Sequence, residues 1–218
     1  DEVDQPEISV IVPVFNELAY TLNCLASLSS QQTEYDFEVI VMDDCSSDAT
    51  QETLFQIPNL RYVRNEQNLR FIRNCNRGAQ LARGRYLLFL NNDTYAPPQW
   101  LQTMRETFDE HTNVGIVGCK LLFEDGRLQE AGGIIWKDGS GWNWGRGKDA
   151  DHPRYNFVRD VDYVSGAAFM VARDVFIKTG CFDEDLQYAY YEDTSKCFQL
   201  RELGLRTLYQ PAAALVHY

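Results

Sequence analysis

No run of apolar residues in this 218-residue chain approaches the roughly 20 needed to cross a bilayer as a helix. The start at Asp1 carries none of the marks of a secretory leader. No segment is repeated or of low complexity. There is no CxxC pair: the six cysteines, Cys24, Cys45, Cys75, Cys119, Cys181 and Cys197, are scattered, and there are only three histidines. That spacing excludes a local Cys/His zinc cluster and argues against a disulfide framework. It suits reduced thiols of a cytoplasmic protein, several of them ordinary core residues. Cations are scarce as well. The 20 Lys and Arg face 32 Asp and Glu, a formal net charge of −12, which argues against nucleic acid as a partner and against a polybasic membrane anchor. A phosphate-bearing ligand needs local cations or a metal to overcome that field. The length suits one domain with a substantial core. The opening on Asp, and a stop soon after an apolar stretch, suggest a piece of a longer, multidomain protein.

The chain is organised around GRYLLFLNNDT at 84–94. Five apolar or aromatic residues in a row, 86–90, are too few for a helix and show no polar alternation. They predict a strand buried on both faces of a parallel sheet. The run stops at Asn91-Asn92-Asp93, and open α/β sheets bind ligands just beyond the carboxyl ends of their strands. Asp93 could hold a hard divalent cation there, with Asn91 and Asn92 ordering nucleotide or water around it; a solvated turn is the plainer reading. The β-branched run 8–14 predicts a first strand. Leu18, Leu22, Leu25 and Ala26 follow at helical spacing. A second strand, 37–42, ends in Asp43-Asp44, and Asp48 is a natural cap for a helix from about 49. A third strand at 60–63 and a helix over 71–82 lead through Gly84 into the 86–90 strand. Strands alternating with helices predict a Rossmann-like α/β domain, a mostly parallel doubly wound sheet with helices on both faces.

Beyond Asp93 the pattern predicts a helix over 99–108 and a strand over 114–119. Residues 124–162, rich in Gly, Trp and charge, read as a binding loop. Trp142 and Trp144 beside glycines suit stacking on a sugar ring, with buried packing of one of them as the rival. A strand or pair of strands is expected over 161–172, broken at Ser165-Gly166. A helix over 194–203 ends at Gly204, and a last strand near 207–209 precedes His217.

In this order the motifs resemble those of the family 2 glycosyltransferases: VPVFNE (12–17), VMDDCSSD (41–48), NLRFIRNCNRG (68–78), GRYLLFLNNDT in the position of the family's DxD motif, VSGAAFMVARDVF (164–176), GCFDEDL (180–186) and YYEDTSKCFQLRELG (190–204). DGSGWNWGRG (138–147) is similar to the branch that builds bacterial surface polysaccharides. The resemblance covers nearly the whole chain. It implies the GT-A fold, with residues up to about 93 as the nucleotide-sugar half and about 94–218 as the acceptor-binding and catalytic half. It implies inverting transfer from a nucleotide-diphosphate sugar to a hydroxyl of a glycan or lipid-linked acceptor. The expected setting is the cytoplasm, at the inner face of the membrane, with any membrane association made through other domains.

Carried over residue by residue, the resemblance implies that Pro13, Val14, Phe15 and Glu17 line base and ribose. Asp43, rather than Asp44, accepts from the pyrimidine N–H; Asn92 orders the nucleotide; Arg73 or Arg77 reaches the diphosphate. Asp93 and His217 hold Mn²⁺ or Mg²⁺. Asp193 is the general base, with Glu192 orienting it or the acceptor, and Ser165, Gly166, Trp142 and Trp144 meet the acceptor. Each role has a structural rival. His217 follows apolar residues and could be a core histidine; Glu192-Asp193 and Asp48 could serve helix termini; Arg73 could be solvated. The chain departs from the family at Arg70, where Gly is common, at Ser195, where an acid is common, and at Asn91-Asn92-Asp93, which leaves one metal-binding carboxylate. The competing reading is a non-catalytic nucleotide- or glycan-binding module of the same fold. A nucleotidyltransferase is disfavoured because VPVFNE has neither Gly nor Lys for a phosphate loop.

Overall fold

The computed structural model describes residues 5–58, 60–186 and 190–218. In chain order the first half holds β1 (Ile8–Val14), α1 (Leu18–Ser29), β2 (Phe37–Asp43), α2 (Thr50–Leu54), β3 (Arg61–Arg64), α3 (Arg70–Leu81) and β4 (Tyr86–Leu90). The second half holds β5 (Thr94–Tyr95), α4 (Trp100–Glu110), β6 (Val114–Leu122), β7 (Leu128–Glu130), β8 (Gly133–Ile135), β9 (Gly141–Asn143), β10 (Arg159–Asp160), β11 (Ala168–Ala172), α5 (Arg173–Lys178), α6 (Glu192–Glu202) and β12 (Arg206–His217).

The main sheet runs β10-β12-β6-β11-β4-β1-β2-β3, with β5 added to β12 and β7 to β6. β3, β2, β1 and β4 are parallel, as the strand–helix alternation predicts. β11 is antiparallel to both its neighbours, β4 and β6, and β12 is parallel to β6. The two-residue period of the strands divides the core between the two faces. Ile11, Ile40, Leu87 and Phe89 pack with Ile72 and Cys75 of α3, Phe176 of α5 and Leu200 of α6. Val10, Val12, Val41, Leu88 and Leu90 pack with Leu28 of α1, Leu54 of α2 and Met104 of α4. Every residue of β4 is therefore buried. The strand order turns back between β1 and β4, where an open α/β sheet leaves a crevice at its carboxyl edge.

Three segments differ from expectation, and each bears on that crevice. Of 161–172 only β11 joins β4 and β6; the residues before it leave the ladder and carry Ser165-Gly166 along the carboxyl edge, where the Ala167 carbonyl accepts from the Asn91 N–H at 3.0 Å. The last strand is far longer than 207–209. It slips register between Gln210 and Ala214 and continues to His217, pairing His217 with Thr94. The Tyr218 N–H donates to the Asp93 carbonyl at 3.0 Å, so the far end of the chain is fixed beside the end of β4. Residues 124–162 are not continuously irregular either: β8 and β9 form a hairpin. Gly133 of that hairpin lies against the Tyr163 ring, where a Cβ would fall 2.0 Å from a ring carbon, so only glycine fits. Gly204 ends α6 as expected, at φ 77°, with the paired Leu205-to-Leu200 and Gly204-to-Arg201 bonds of a Schellman turn. None of the described helices is long and apolar enough to cross a membrane.

Candidate active site

Two cavities meet at the carboxyl edge. The first, of about 440 Å³, opens between β1, β4 and the start of α3. It is lined by Pro13, Val14, Phe15 and Asp44, by Asn68, Arg70, Phe71 and Asn74, and by Asn91, Asn92 and Asp93. Phe15 is 54% exposed, an aromatic face left in water beside a ligand-sized space and suited to stacking on a base. The loops behind it are tied together. The Asn16 N–H donates to Ser46 Oγ at 2.7 Å and Asn16 Oδ1 accepts from the Ser47 N–H at 2.7 Å. Asn92 is oriented by donating to Thr21 Oγ1 of α1 at 2.9 Å.

Asp93 and His217 are brought together at the junction, Oδ1 to Nε2 at 3.3 Å. His217 Nδ1–H donates to Gln129 Oε1 at 2.8 Å, and in that tautomer Nε2 is an acceptor that faces both the Asp93 carboxylate and, at 3.4 Å, the Asn91 side-chain amide. Asp93 Oδ1 is itself a buried atom with no hydrogen-bond partner among the described residues. Two acceptors facing each other are satisfied by a cation between them, and an oxygen plus an imidazole suit Mn²⁺ or Mg²⁺. The donor set is thin: among the described residues no three His, Cys, Asp or Glu side chains group around a possible metal position. A cation held here needs further oxygen ligands, as Mg²⁺ does when bound by one or two carboxylates plus substrate phosphates.

The second cavity, of about 510 Å³, shares Phe71 and Asn91 with the first. Glu192 and Asp193, at the start of α6, line it, together with Ser165, Gly166, Tyr163, Asn143 and Glu130. Asp193 is held on both oxygens, accepting from the Gly166 N–H at 2.8 Å and from the Thr194 N–H at 2.5 Å. Burial raises its pKa above the ordinary aspartate value despite these bonds. Glu192 is pushed up to about 7, first by burial and then by the Asp193 charge. Glu130 is pushed up to about 8 by burial, opposed by the Ser165 N–H that donates to its Oε1 at 3.0 Å. Oε2 of Glu130 and Oε2 of Glu192 are buried with no hydrogen-bond partner among the described residues. Ser165-Gly166 thus ties two carboxylates in place through backbone N–H groups.

Several expected roles need correcting. Asp43 is fully buried; its carboxylate accepts from the Ser46 N–H at 2.8 Å, Tyr62 Oη and Arg64. It is the last residue of β2 and lies in register with Arg64 of β3, so cross-strand pairing claims it. Asp44, one residue past the strand, lines the cavity instead. Glu17 is an exposed N-cap residue of α1 and is not among the cavity's lining residues. Arg73 pairs with Glu184 at 3.0 Å on the outer surface, and Arg77 donates to the Asn65 side chain. Trp144 is packed: its ring lies 3.7 Å from the Arg159 guanidinium carbon and 5.0 Å from the Tyr155 ring. Trp142 is 62% exposed, but Gly141 and Asn143 on either side of it line the cavity. Strand alternation turns Trp142 to the other face of the hairpin, against Trp136 at 5.8 Å. Trp144→Ala is accordingly expected to cost about 2–3 kcal/mol, the low end of large-to-small core changes. Trp142→Ala should stay within about 0.5 kcal/mol, as at surface positions. Urea midpoints of the two variants measure the difference, and equal losses would contradict the packing described.

Sequence reasoning set Asp44 aside in favour of Asp43, and it missed Glu130, Gln129, Asn143 and Tyr163. For Asp44 the signal was the strand's own end: Asp43 still belongs to the two-residue period and Asp44 does not. Gln129 and Glu130 lie within LQEAGG, a short polar interruption of an apolar stretch with no motif around it.

The model of the family described as Glycosyl transferase family 2 matches residues 9–180. The O-antigen biosynthesis protein RfbC of Myxococcus xanthus is 30% identical over 226 residues, covering 98% of this chain and 17% of that protein. The chondroitin synthase of Escherichia coli is 25% identical over 225 residues, covering 90% and 32%. Among solved structures, GalNAc-T7 with UDP, GalNAc and Mn²⁺ superposes with a TM-score of 0.82 at 18% identity, over 98% of this chain and 43% of that one. The mannosyltransferase PcManGT from Pyrobaculum calidifontis, in complex with GDP-Man and Mn²⁺, gives 0.73 at 19% identity, over 100% and 58%. The fold is thus the GT-A arrangement, and the chain spans no more than about a third of the length of these curated relatives.

Proposed function

The chain belongs to glycosyl transferase family 2, and from that premise we propose that it is a metal-dependent inverting glycosyltransferase domain. It moves a sugar from a nucleotide-diphosphate donor to a hydroxyl of a glycan or lipid-linked acceptor. The observation that carries this reading is the pair of cavities sharing Phe71 and Asn91, one walled by Asp93 and the other by Asp193. Donor and acceptor then lie on either side of one boundary, within reach of each other.

In this reading Pro13, Val14 and Phe15 hold the base, and Asp44 takes the place first expected of Asp43. Asp93 and His217 hold Mn²⁺ or Mg²⁺, which when bound supplies Lewis-acid stabilisation of charge on the departing diphosphate. Asp193 accepts the proton of the acceptor hydroxyl. The hydroxyl oxygen attacks the anomeric carbon from the face opposite the leaving group, so the configuration inverts. A carboxylate offers about four lone-pair sites, and the bonds from Gly166 and Thr194 fix Asp193 while leaving room for that hydroxyl. Glu192 orients the acceptor beside it. No covalent nucleophile is needed, and Ser165 acts through its backbone. Trp142 and Trp136, on the outer face of the hairpin, meet only an acceptor long enough to pass over its edge.

The names of the two curated relatives, O-antigen biosynthesis protein and chondroitin synthase, support a polysaccharide product. The UDP, GDP-Man and Mn²⁺ of the superposed structures support a nucleotide-sugar donor and a divalent metal. A lipid-linked acceptor would bring the domain to the inner face of the membrane, held there by the rest of a longer protein.

A thermal-shift screen of nucleotide sugars with and without Mn²⁺ tests this. Ligand at 100 times its Kd stabilises the native state by about 2.7 kcal/mol, a rise of roughly 5–10 °C in Tm at this size. The rise is expected for one class of nucleotide and only with metal. Slow Mn²⁺-dependent hydrolysis of the same donor then separates an enzyme from a binding module. No shift with any nucleotide sugar would sink the proposal.

A further inference from the structure

Glu130 closes β7, a strand whose three residues are all buried, and lies in register with the buried Leu121 of β6. It is 1% exposed, a place where an apolar side chain costs less than an acid. One of its carboxyl oxygens is accounted for: Oε1 accepts from the Ser165 N–H at 3.0 Å. The other, Oε2, is buried with no hydrogen-bond partner among the described residues. A buried polar atom left unpaired costs stability, and in a native structure it calls for an explanation. The 510 Å³ cavity that Glu130 borders supplies one: a molecule bound there would complete its bonds.

Glu192 repeats the pattern from α6: it is 5% exposed and its Oε2 is likewise without a partner. The consecutive N–H groups of Ser165 and Gly166 hold Glu130 and Asp193, so Glu130 stands beside Asp193. A Cβ on Gly166 would fall 3.7 Å from a carboxyl oxygen of Asp193 and of Glu192. Three acids thus border one stretch of backbone, and no Lys or Arg is among the described residues lining the cavity. Arg146, whose charge reaches Glu130, lies over the Phe123 ring outside it. An anionic ligand is disfavoured in such a place. Burial pushes Glu130 up to about 8. With Oε1 accepting from Ser165, the proton belongs on Oε2, and a protonated carboxyl both donates and accepts, as a sugar hydroxyl does. Phe71, Tyr163 and Tyr191 bring aromatic rings to the same cavity, and rings beside a few placed polar groups are the usual lining of a small-ligand site. We propose that Glu130 is a specificity residue that holds one hydroxyl of an uncharged acceptor sugar through Oε2, while Asp193 receives the proton of another. This rests on the reading of the second cavity as the acceptor site.

The test is a double-mutant cycle between protein and sugar. Methyl glycosides of glucose, galactose, mannose and N-acetylglucosamine, with methyl glucuronide as the anionic control, are titrated by ligand-observed NMR with Mn²⁺ and UDP or GDP present. Monodeoxy analogues of the best-bound glycoside follow, on the parent chain, Glu130→Leu, Glu130→Met and Glu130→Gln. In the parent, removal of one particular hydroxyl should weaken binding about 2–10-fold, the worth of one hydrogen bond. The glucuronide should bind at least about tenfold more weakly than the best uncharged glycoside. In Glu130→Leu or Glu130→Met the intact glycoside should fall to the level of that deoxy analogue, and deleting the hydroxyl should then cost nothing. Glu130→Gln, with an N–H where the acid carries its O–H, should restore the dependence. Hydroxyl dependence that persists in a folded Leu or Met variant overturns the proposal, as does a parent indifferent to every hydroxyl or to the glucuronide charge. If the parent binds no glycoside, the acceptor-site reading fails and this inference with it. If it binds one without coupling to Glu130, this inference alone fails.

Discussion

Asp93→Ala is expected to abolish metal-dependent donor binding and to lower kcat/KM by about 10³-fold, the equivalent of several kcal/mol of lost Lewis-acid stabilisation. The magnitude follows from how little else holds the ion. Asp93 is the carboxylate placed against His217 Nε2, at 3.3 Å, with the Asn91 carboxamide at 3.4 Å, so losing Asp93 removes the charged member of the pair. Binding of metal and nucleotide should then be reciprocal. Each raises the affinity of the other by the same factor, and Mn²⁺ alone should bind the parent weakly. Calorimetry with Mn²⁺, with nucleoside diphosphate and with both measures that coupling, and Asp93→Ala should reduce it to nothing. The rival is an ordinary ion pair between Asp93 and His217, whose side chains are 36% and 20% exposed. Exposed pairs contribute roughly 0–1 kcal/mol to stability, so on that account the variant would lose a degree or two of Tm and keep its nucleotide affinity. Nucleotide affinity equal with and without divalent ions, in the parent chain, would remove the metal site altogether.

The parts of the fold that were readable in the sequence were those set by one local rule. β1 and β4 are apolar on both faces, so their runs show no competing period, and the turn after each is forced by polar residues at the sheet edge. β12 was truncated in the reading because Pro211 and the alanines after Gln210 break the pattern at a register slip; its continuation depends on β6 and β5, which lie far away in sequence. The site divided along the same line. Asp93 and Asp193 sit at element ends that the chain itself marks. Asp43 was misplaced because two adjacent aspartates look alike until β3 sets Arg64 opposite one of them. Trp144 was misread for a similar reason: Gly145 beside it suggests exposure, while Arg159 and Tyr155, which cover it, come from another segment. Arg70 stands where Gly is common in the family, and its φ of 65° shows why glycine suits that position.

Asp193→Asn is expected to lower kcat by about 10²–10⁴-fold, the usual worth of general acid–base catalysis, while donor affinity stays at the parent value. The amide keeps the shape and can still accept from the Gly166 N–H, but it has no site basic enough for the acceptor's proton. Glu192 stands beside it and is the alternative base, so the pH profile has to separate them. Burial raises the Asp193 pKa above the ordinary carboxylate value, and Glu192 is pushed up to about 7, in part by the Asp193 charge. A base works when deprotonated, so kcat should fall as pH drops through the pKa of whichever residue serves. With Asp193 as base, that acid limb lies above the usual carboxylate range in the parent and vanishes in Asp193→Asn. With Glu192 as base, the limb lies near 7 in the parent and survives in Asp193→Asn, moved to lower pH because the neighbouring charge is gone. Stability gives an independent reading. Both folded-state pKa values are raised, so their contribution is fully present below the unfolded values and is lost as pH rises through the folded ones. Neutral Asn removes that loss, and Asp193→Asn should gain on the parent as pH rises from the ordinary carboxylate range to about 7, where Glu192 titrates. A pair of acids serving only the α6 N-terminus predicts instead a loss of about 0.5–2 kcal/mol near neutral pH with turnover nearly intact. Single-turnover rates and melting curves across pH on Asp193→Asn and Glu192→Gln distinguish the three cases. Transfer by Asp193→Asn at close to the parent rate would remove Asp193 from the chemistry.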